Sequence, residues 1–348
     1  MERKGAVLTG LPAFIAALPK VELHLHLEGA VDAATFARLL ARHGERASED
    51  AVAALFDFSD LGEFLAAYGR VCGAMRDAED FELATLEALR RCAAGGARYV
   101  ELFFSSHAHA GLSYVDMLAG IEAGADAAAA ECGVETRLIP AHSRELGPER
   151  GLVFLEEVLT HRTARIAGIG LDYQERPHPP APFAEMYRRA RAAGLGVTAH
   201  AGEDGPADYV RDTVVLLGCR RVDHGYHIVD DPDLMAGCRD AGIDFTVCPT
   251  TTTHTTVWRD LAAPDHAIRR MIAAGLNVVV NTDDPGLFRT DLNREYELLA
   301  RHMSLSPQAL GQIALNGLRA SWMAPERKSR QLSAWSAEIE TLVAAAGA

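Results

Sequence analysis

The chain has 348 residues, 49% hydrophobic and 24% charged, with a formal net charge of −14. That composition is ordinary for a folded globular protein, and the negative balance argues against a nucleic-acid surface, which is normally basic, while leaving an uncharged nucleoside open. No stretch reaches the roughly 18–20 uninterrupted apolar residues of a membrane span. The apolar run 8–18 is broken by Gly10 and Pro12 and lacks a signal-peptide core, and six cysteines occur without a C-x-x-C pair. The expectation is a cytoplasmic protein with reduced, buried thiols.

Residues 21–30, VELHLHLEGA, alternate Glu22, His24, His26 and Glu28 with Val21, Leu23, Leu25 and Leu27. This period of two predicts a β-strand with two chemically different faces. Two imidazoles at i and i+2 point the same way, close enough to share one metal ion. Residues 31–95 read as helices. The first, over 32–44, places Phe36, Leu39 and Leu40 on one face and stops at Gly44. The second region, 58–97, carries Leu61, Phe64, Leu65 and Tyr68, then Leu83, Leu86 and Leu89, with Ser59 and Asp80 as N-caps. That is more helix than one crossover needs, so an insertion over one mouth of the strands is expected, serving as part of a lid.

A simple rhythm follows. Strands are expected at 98–106, 135–143, 165–173, 196–203, 220–227, 243–250 and 277–285. Helices between them are expected at 114–131, 148–161, 182–194, 206–218, 231–241 and 264–275, with more to the end. Eight strands, each followed by helix, predict an α/β chain folded as a single (β/α)8 TIM barrel over 1–348, with an inserted helical segment after strand 1 and extra C-terminal helices. An open doubly wound sheet would want a Gly-rich turn after its first strand, and HLEGA has one glycine.

In such a barrel the active site lies at the C-terminal ends of the strands. His24 and His26 end strand one, His200 and Glu203 strand five, Asp223 and His224 strand six, and Asp283 and Asp284 strand eight. Imidazole and carboxylate donors suit zinc, with three or four protein ligands and one position left for water. His24, His26, His200 and one of the two aspartates supply them. A bound cation brings the pKa of its water toward ~7, leaving His224 and Glu203 as acid/base groups beside it. Many two-metal barrel hydrolases bridge their ions with a modified lysine after strand four. RIAGIGLDYQE has none, and Lys4, Lys20 and Lys328 lie elsewhere, so one zinc per chain is expected.

The stretches PKVELHLHLEGA (19–30), HAGEDGP (200–206), DHGYHI (223–228), CPT (248–250) and NTDDP (281–285), in this order, resemble the adenosine deaminase family of the amidohydrolase superfamily. By position, the resemblance implies that His24, His26, His200 and Asp283 are the zinc ligands. It implies that Glu203 protonates purine N1, that His224 orients and deprotonates the water, and that Asp284 holds that water and purine N7. The implied reaction is hydrolytic deamination at C6 to a 6-oxopurine and ammonia.

Four stretches depart from the adenosine enzymes. Glu28 stands where they carry an aspartate that contacts ribose, and the family's adenine-specific members also have Glu there. The strand-four end reads Gly170-Leu171-Asp172-Tyr173-Gln174-Glu175, putting Tyr173 where a glycine approaches the purine. Cys248-Pro249 runs into Thr250 to Thr253 and His254 rather than the usual C-P-x-S-N. After strand two, Phe103-Phe104-Ser105-Ser106 replaces an arginine and a proline, and His107 and His109 are expected to face solvent or a lid. Glu28, Gly170, Tyr173 and Asp284 are the expected substrate contacts. The expected substrate is adenosine or an adenosine-like nucleoside. The alternative is adenine or a modified aminopurine, and remoter ones are another metal-dependent amide or ester hydrolase or a non-catalytic nucleoside binder. No nucleic-acid or membrane partner is expected, and a homo-oligomer is compatible with the sequence.

Overall fold

The computed structural model describes residues 10–58 and 61–347. Its strands are β1 (Lys20–His26), β2 (Ala97–Phe104), β3 (Glu135–Ser143), β4 (Gly168–Asp172), β5 (Gly196–Val197), β6 (His200–Ala201), β7 (Arg221–His224), β8 (Asp244–Val247) and β9 (Asn277–Val280). All pairings are parallel, in the orders β1-β2-β3-β4-β5 and β6-β7-β8-β9. β5 and β6 are two pieces of one barrel strand. Between them Thr198 N donates to Ile169 O (3.2 Å), and Ala199 O accepts from Asp223 N (2.9 Å), so the chain passes from its β4 partner to its β7 partner without leaving the wall. The barrel closes where Leu25 pairs with Asp283 beyond β9. Counting β5 and β6 as one, this is the expected eight-stranded TIM barrel.

The two faces of β1 are both buried, as barrel geometry requires. His24 and His26 face the barrel interior beside Phe103, and a register shift between Glu22 and Leu25 interrupts the alternation along the strand. At the base of that interior, Glu101 of β2 meets Arg221 of β7, Oε2 to Nη1 at 2.6 Å. Tyr99 donates to Glu101 Oε1 (2.9 Å), and the Trp322 N–H donates to the same oxygen. The Trp322 ring lies 4.1 Å from the Arg221 guanidinium. Gly168 and Gly196, which begin β4 and β5, make room for that indole: a Cβ at either would stand within 2.6 Å of it.

Four helices separate β1 from β2: Ala33–Arg42, Glu49–Leu55, Leu61–Ala74 and Ala78–Ala94. Asp32 caps the first through Thr35 N (2.8 Å), and Gly44 ends it at φ +75°. The N-cap of the last is Asp77, not Asp80. Asp80 is buried and accepts from Arg42 Nε (2.6 Å), Arg76 N (2.8 Å) and His43 Nε2 (2.6 Å), which is why an acid one turn inside the helix is tolerated. Ser59 lies outside the described residues. After β9 come Leu292–Met303, Pro307–Ala320 and Pro325–Ala346. No helix among the described residues is long and apolar enough to cross a membrane. The cysteines are unpaired and buried, except that Cys132 is exposed.

Removing one partner of a buried ion pair strands the other charge and costs about 3–5 kcal/mol. Glu101→Gln should therefore lower the unfolding free energy by that order, read from urea denaturation. A loss below ~1 kcal/mol would mean that the Trp322 ring alone sustains Arg221.

Candidate active site

Three non-glycine residues at the cavity rim sit in the left-handed region: Tyr173 (φ +66°), His224 (φ +67°) and Asp283 (φ +63°). Strained backbone of this kind concentrates where geometry is over-determined by its surroundings. Asp283 shows how. Its N–H donates to His24 O and its carbonyl accepts from His26 N, both at 2.9 Å. The residues before it are tied to β1 as well. Asn281 Oδ1 accepts from Leu23 N (2.7 Å), and the Glu22 carboxylate accepts from Thr282 N (3.2 Å) and Thr282 Oγ1 (2.9 Å). The Asp283 side chain is thereby held against the two imidazoles of β1.

His24, His26, His200 and Asp283, all buried, bring one ligand atom each into a cluster. His200 Nε2 lies 3.0 Å from His24 Nε2 and 3.2 Å from His26 Nε2. Asp283 Oδ1 lies 3.1 and 3.4 Å from the same two nitrogens. Ligands about 2.05 Å from a tetrahedral ion are roughly 3.3 Å from one another, so the cluster has the dimensions of a zinc site. The tautomers suit it. His24 Nδ1 donates to Thr246 Oγ1 (3.0 Å), which donates onward to Asp223 Oδ1 (2.9 Å). His200 Nδ1 donates to Leu171 O (3.2 Å). Both Nε2 lone pairs are left for a cation.

Glu203 and His224 flank the cluster. His224 Nε2 is 3.6 Å from Glu203 Oε2 and 4.0 Å from Asp283 Oδ2. Burial pushes His224 down to about 3, and the His24 and His26 imidazoles add to the shift against the pull of Asp283. Burial pushes the Glu203 carboxyl well up, and the Asp283 charge adds to it. Thr255 opposes by donating to Glu203 Oε1 (2.5 Å), which leaves Oε2 to carry a proton. The loop that presents Glu203 is fastened by Glu175, whose carboxylate accepts from Gly202 N (2.8 Å), Glu203 N (2.9 Å) and Gly205 N (3.0 Å). Asp284 is likewise raised, by burial first and then by Asp283 and Glu203. Its carboxyl lies over Gly29, where a Cβ would fall 1.6 Å from Oδ1. Only glycine fits there.

The cavity above the cluster is walled by His26, His200, Glu203, His224, Asp283 and Asp284, by Asp172 and Tyr173 after β4, by Thr251 and Thr255, and by Phe64, Leu65 and Tyr68 of the inserted helix Leu61–Ala74. The insertion thus covers the mouth, as expected. Of the expected substrate contacts, Tyr173 and Asp284 are on the wall. Glu28 is not. β1 ends at His26, and residues 27–30 form a turn, closed by Ala30 N to His26 O (2.8 Å). Glu28 is therefore fully buried off the strand. Its Oε1 accepts from Ser105 N (2.9 Å) and His109 Nε2 (3.0 Å), and its Oε2 from Tyr68 Oη (3.3 Å). Burial opposes its ionisation, and the His109 and Ser105 bonds hold it below the usual carboxylate range. Gly170 is packed in the barrel against Phe103, which a Cβ would meet at 2.7 Å, and is not on the wall.

His109 departs from the expectation of a solvent-facing or lid residue: it is buried, with Glu28 as its partner. His107 is half-buried, its ring 4.9 Å from that of Tyr173, and His254 stacks on Phe288 at 5.1 Å. The supporting residues Glu22, Glu175, Thr246, Thr251 and Thr255 escaped sequence reasoning. Their one local signal was the threonine run after Pro249, from which Thr251 donates to Asp283 Oδ2 (2.9 Å).

Residues 19–337 match the sequence model of the family described as adenosine deaminase. An adenine deaminase from Rhodospirillum rubrum is 38% identical over 323 residues, covering 91% of this chain and 96% of that protein. An amidohydrolase from Burkholderia ambifaria, crystallised with bound zinc, aligns with a TM-score of 0.89 at 36% identity, over 97% of this chain and 94% of that one. The adenine deaminase of Arthrobacter aurescens aligns with a TM-score of 0.87 at 33% identity, over 94% and 99%. With its barrel, its strand-end cluster and these relatives in agreement, the chain belongs to the adenosine deaminase family.

Proposed function

We propose that this protein is a zinc-dependent deaminase of a 6-aminopurine and that its substrate is the free base adenine rather than adenosine. The observation that carries the reaction class is the convergence of three imidazole Nε2 atoms and the Asp283 carboxylate beside a carboxyl, Glu203, whose pKa burial pushes well up. His24, His26, His200 and Asp283 would hold the ion, and zinc when bound supplies a Lewis acid that makes a water acidic near neutral pH.

This chain's own residues do the rest. Glu203 gives its proton to purine N1, which leaves C6 electron-poor. His224 Nε2 takes one proton from the water as its oxygen bonds to C6, and passes it to the amino nitrogen as the C6–N bond breaks. The proton remaining on the new C6 oxygen returns to Glu203, leaving a 6-oxopurine with hydrogen on N1, and ammonia. Asp284, whose carboxyl burial and its acidic neighbours push well up, faces N7. Two raised acids around one ionised Asp283 divide the roles by environment.

Support for adenine over adenosine comes from Glu28, which is fully buried off the cavity wall with both oxygens accepting from protein donors, out of reach of a ribose hydroxyl. It comes also from the full-length relatives that carry the adenine deaminase name. No Lys or Arg lines the cavity among the described residues, so a substrate phosphate would find no cation.

Incubation of zinc-loaded protein with adenine, adenosine and other 6-aminopurines, followed by ammonia release, should show adenine as the best substrate. Absence of turnover for every 6-amino heterocycle would sink the assignment. Glu203→Gln should lower kcat by ~10²–10⁴. Because Glu203 acts in its protonated form, kcat/KM should fall as pH rises through its raised pKa. Thr255 bonds the ionised form, so Thr255→Val should raise that pKa and move the alkaline limb to higher pH, with Thr255→Ser unmoved. A limb shifted downward would contradict the role given to Glu203. Thr246→Val frees His24 Nδ1 from its partner and should weaken zinc binding by ~10–100-fold, measured by competition with a chromogenic chelator.

A further inference from the structure

One buried acid on the cavity wall has no part in the reaction just described. Asp172 ends β4, is 2% exposed and lines the cavity. Its Oδ2 accepts from Ser105 Oγ (3.0 Å), while Oδ1 has no hydrogen-bond partner. A buried carboxylate oxygen without a donor is costly, of order 1–3 kcal/mol or more, so it marks a place where a ligand donor belongs. Two donors nearby are spent elsewhere. Tyr68 is committed to Glu28, and Arg144 gives its Nε–H to the Asp172 carbonyl (3.3 Å) rather than to the carboxylate.

A 6-aminopurine seated with its amino group at the metal cluster, N1 at Glu203 and N7 at Asp284 has one polar edge left, the edge of N3 and N9. A free base carries a hydrogen on its imidazole ring at N9. A nucleoside has a sugar there and no hydrogen to give. Resting on the aminopurine reading, we infer that Asp172 is the residue that selects a free purine base, its Oδ1 accepting the N9–H that an N9-substituted purine lacks. The surroundings fit this. Glu28 and His109 close the flank behind Tyr68, and Tyr173, next in sequence, stands on the wall with its ring 6.1 Å from that of Tyr68. The consequence is selection by an unpaired acceptor: a substrate without the N–H leaves Asp172 buried and unsatisfied, the strongest form of discrimination open to a small pocket.

The test compares adenine with 9-methyladenine, which differ at that one hydrogen, on zinc-loaded protein. The wild type should favour adenine in kcat/KM by at least ~10²-fold. Asp172→Ala should lower adenine turnover by roughly 10–100-fold and leave 9-methyladenine within about threefold, collapsing the ratio. Ser105→Ala, which removes the neighbour and keeps the carboxylate, should preserve the ratio, and zinc content with the thermal midpoint verifies that both variants fold. Calorimetric binding of purine against 9-methylpurine, neither with a 6-amino group, gives a readout without turnover, and the wild type should prefer purine while Asp172→Ala should not. Equal losses on both substrates, or a wild type indifferent to the methyl group, would overturn the role of Asp172 while leaving the deaminase reading intact. Failure to deaminate any aminopurine would overturn the deaminase reading, and the calorimetric preference would still decide for or against Asp172.

Discussion

The pairing of β1 with the segment after β9 is the constraint on which the rest depends. A closed parallel barrel must join its last strand to its first, and here the joining residue is Asp283, bonded through both backbone groups to His24 and His26. The same residue offers its carboxylate to the cluster those histidines form. Barrel closure and assembly of the His/Asp cluster are therefore one event. The left-handed backbone at Asp283 costs about 1–3 kcal/mol, and two ladder bonds and the imidazole contacts outweigh it. Each residue of Asn281-Thr282-Asp283-Asp284 answers a residue of the first strand and its turn: Leu23 N, Glu22, the two histidines and Gly29.

That arrangement also explains how several acids share a small volume without collapsing into one ill-defined charge. Asp283 faces imidazoles and, despite burial, is held below the usual carboxylate range, His24 contributing most. Glu203 and Asp284 face Asp283 and each other, and burial with like charge drives both up. Position alone pushes three carboxyl groups apart, Asp283 toward ionisation and Glu203 and Asp284 toward the protonated form. Thr251 and Thr255, one helical turn apart, reach Asp283 and Glu203 respectively. Glu295 in turn accepts from Thr250 N (2.9 Å) at the start of their helix.

Much of this is legible in the sequence because a strand sets residues i and i+2 on one side. Alternation in VELHLHLEGA fixes His24 and His26 on one side, and a β/α rhythm with polar residues at strand ends fixes where His200, His224 and Asp283 must meet. What periodicity does not govern was missed. Alternation alone carries the strand through Glu28, but a turn begins at Leu27 and removes Glu28 from the histidines' face. Asp80 resembles a helix cap in sequence because acids commonly cap, whereas Arg42 and His43 claim it from a neighbouring helix. His109 lies 81 residues from Glu28, and no local pattern announces that partnership.

The same distinction accounts for why the reaction class is easier to read than the substrate. The residues proposed as ligands, acid and base project from strand ends or the positions just after them, where the pleat and the closure fix direction. The wall that a purine's far edge would meet is built from pieces with no shared register: Tyr68 from the insertion, Ser105 and His109 after β2, Asp172 and Tyr173 after β4. Their bonds to one another settle which acid is spent inside the protein and which is left open. Glu28 is spent, on Ser105, His109 and Tyr68. Asp172 is half spent, on Ser105 alone. Ser105 is thus the pivot between them, giving its backbone N–H to one carboxylate and its hydroxyl to the other. A residue with no side-chain hydroxyl at position 105 would still bind Glu28 and would leave both oxygens of Asp172 without a partner. The serine satisfies Oδ2 alone, and Oδ1 stays the open acceptor with or without that hydroxyl.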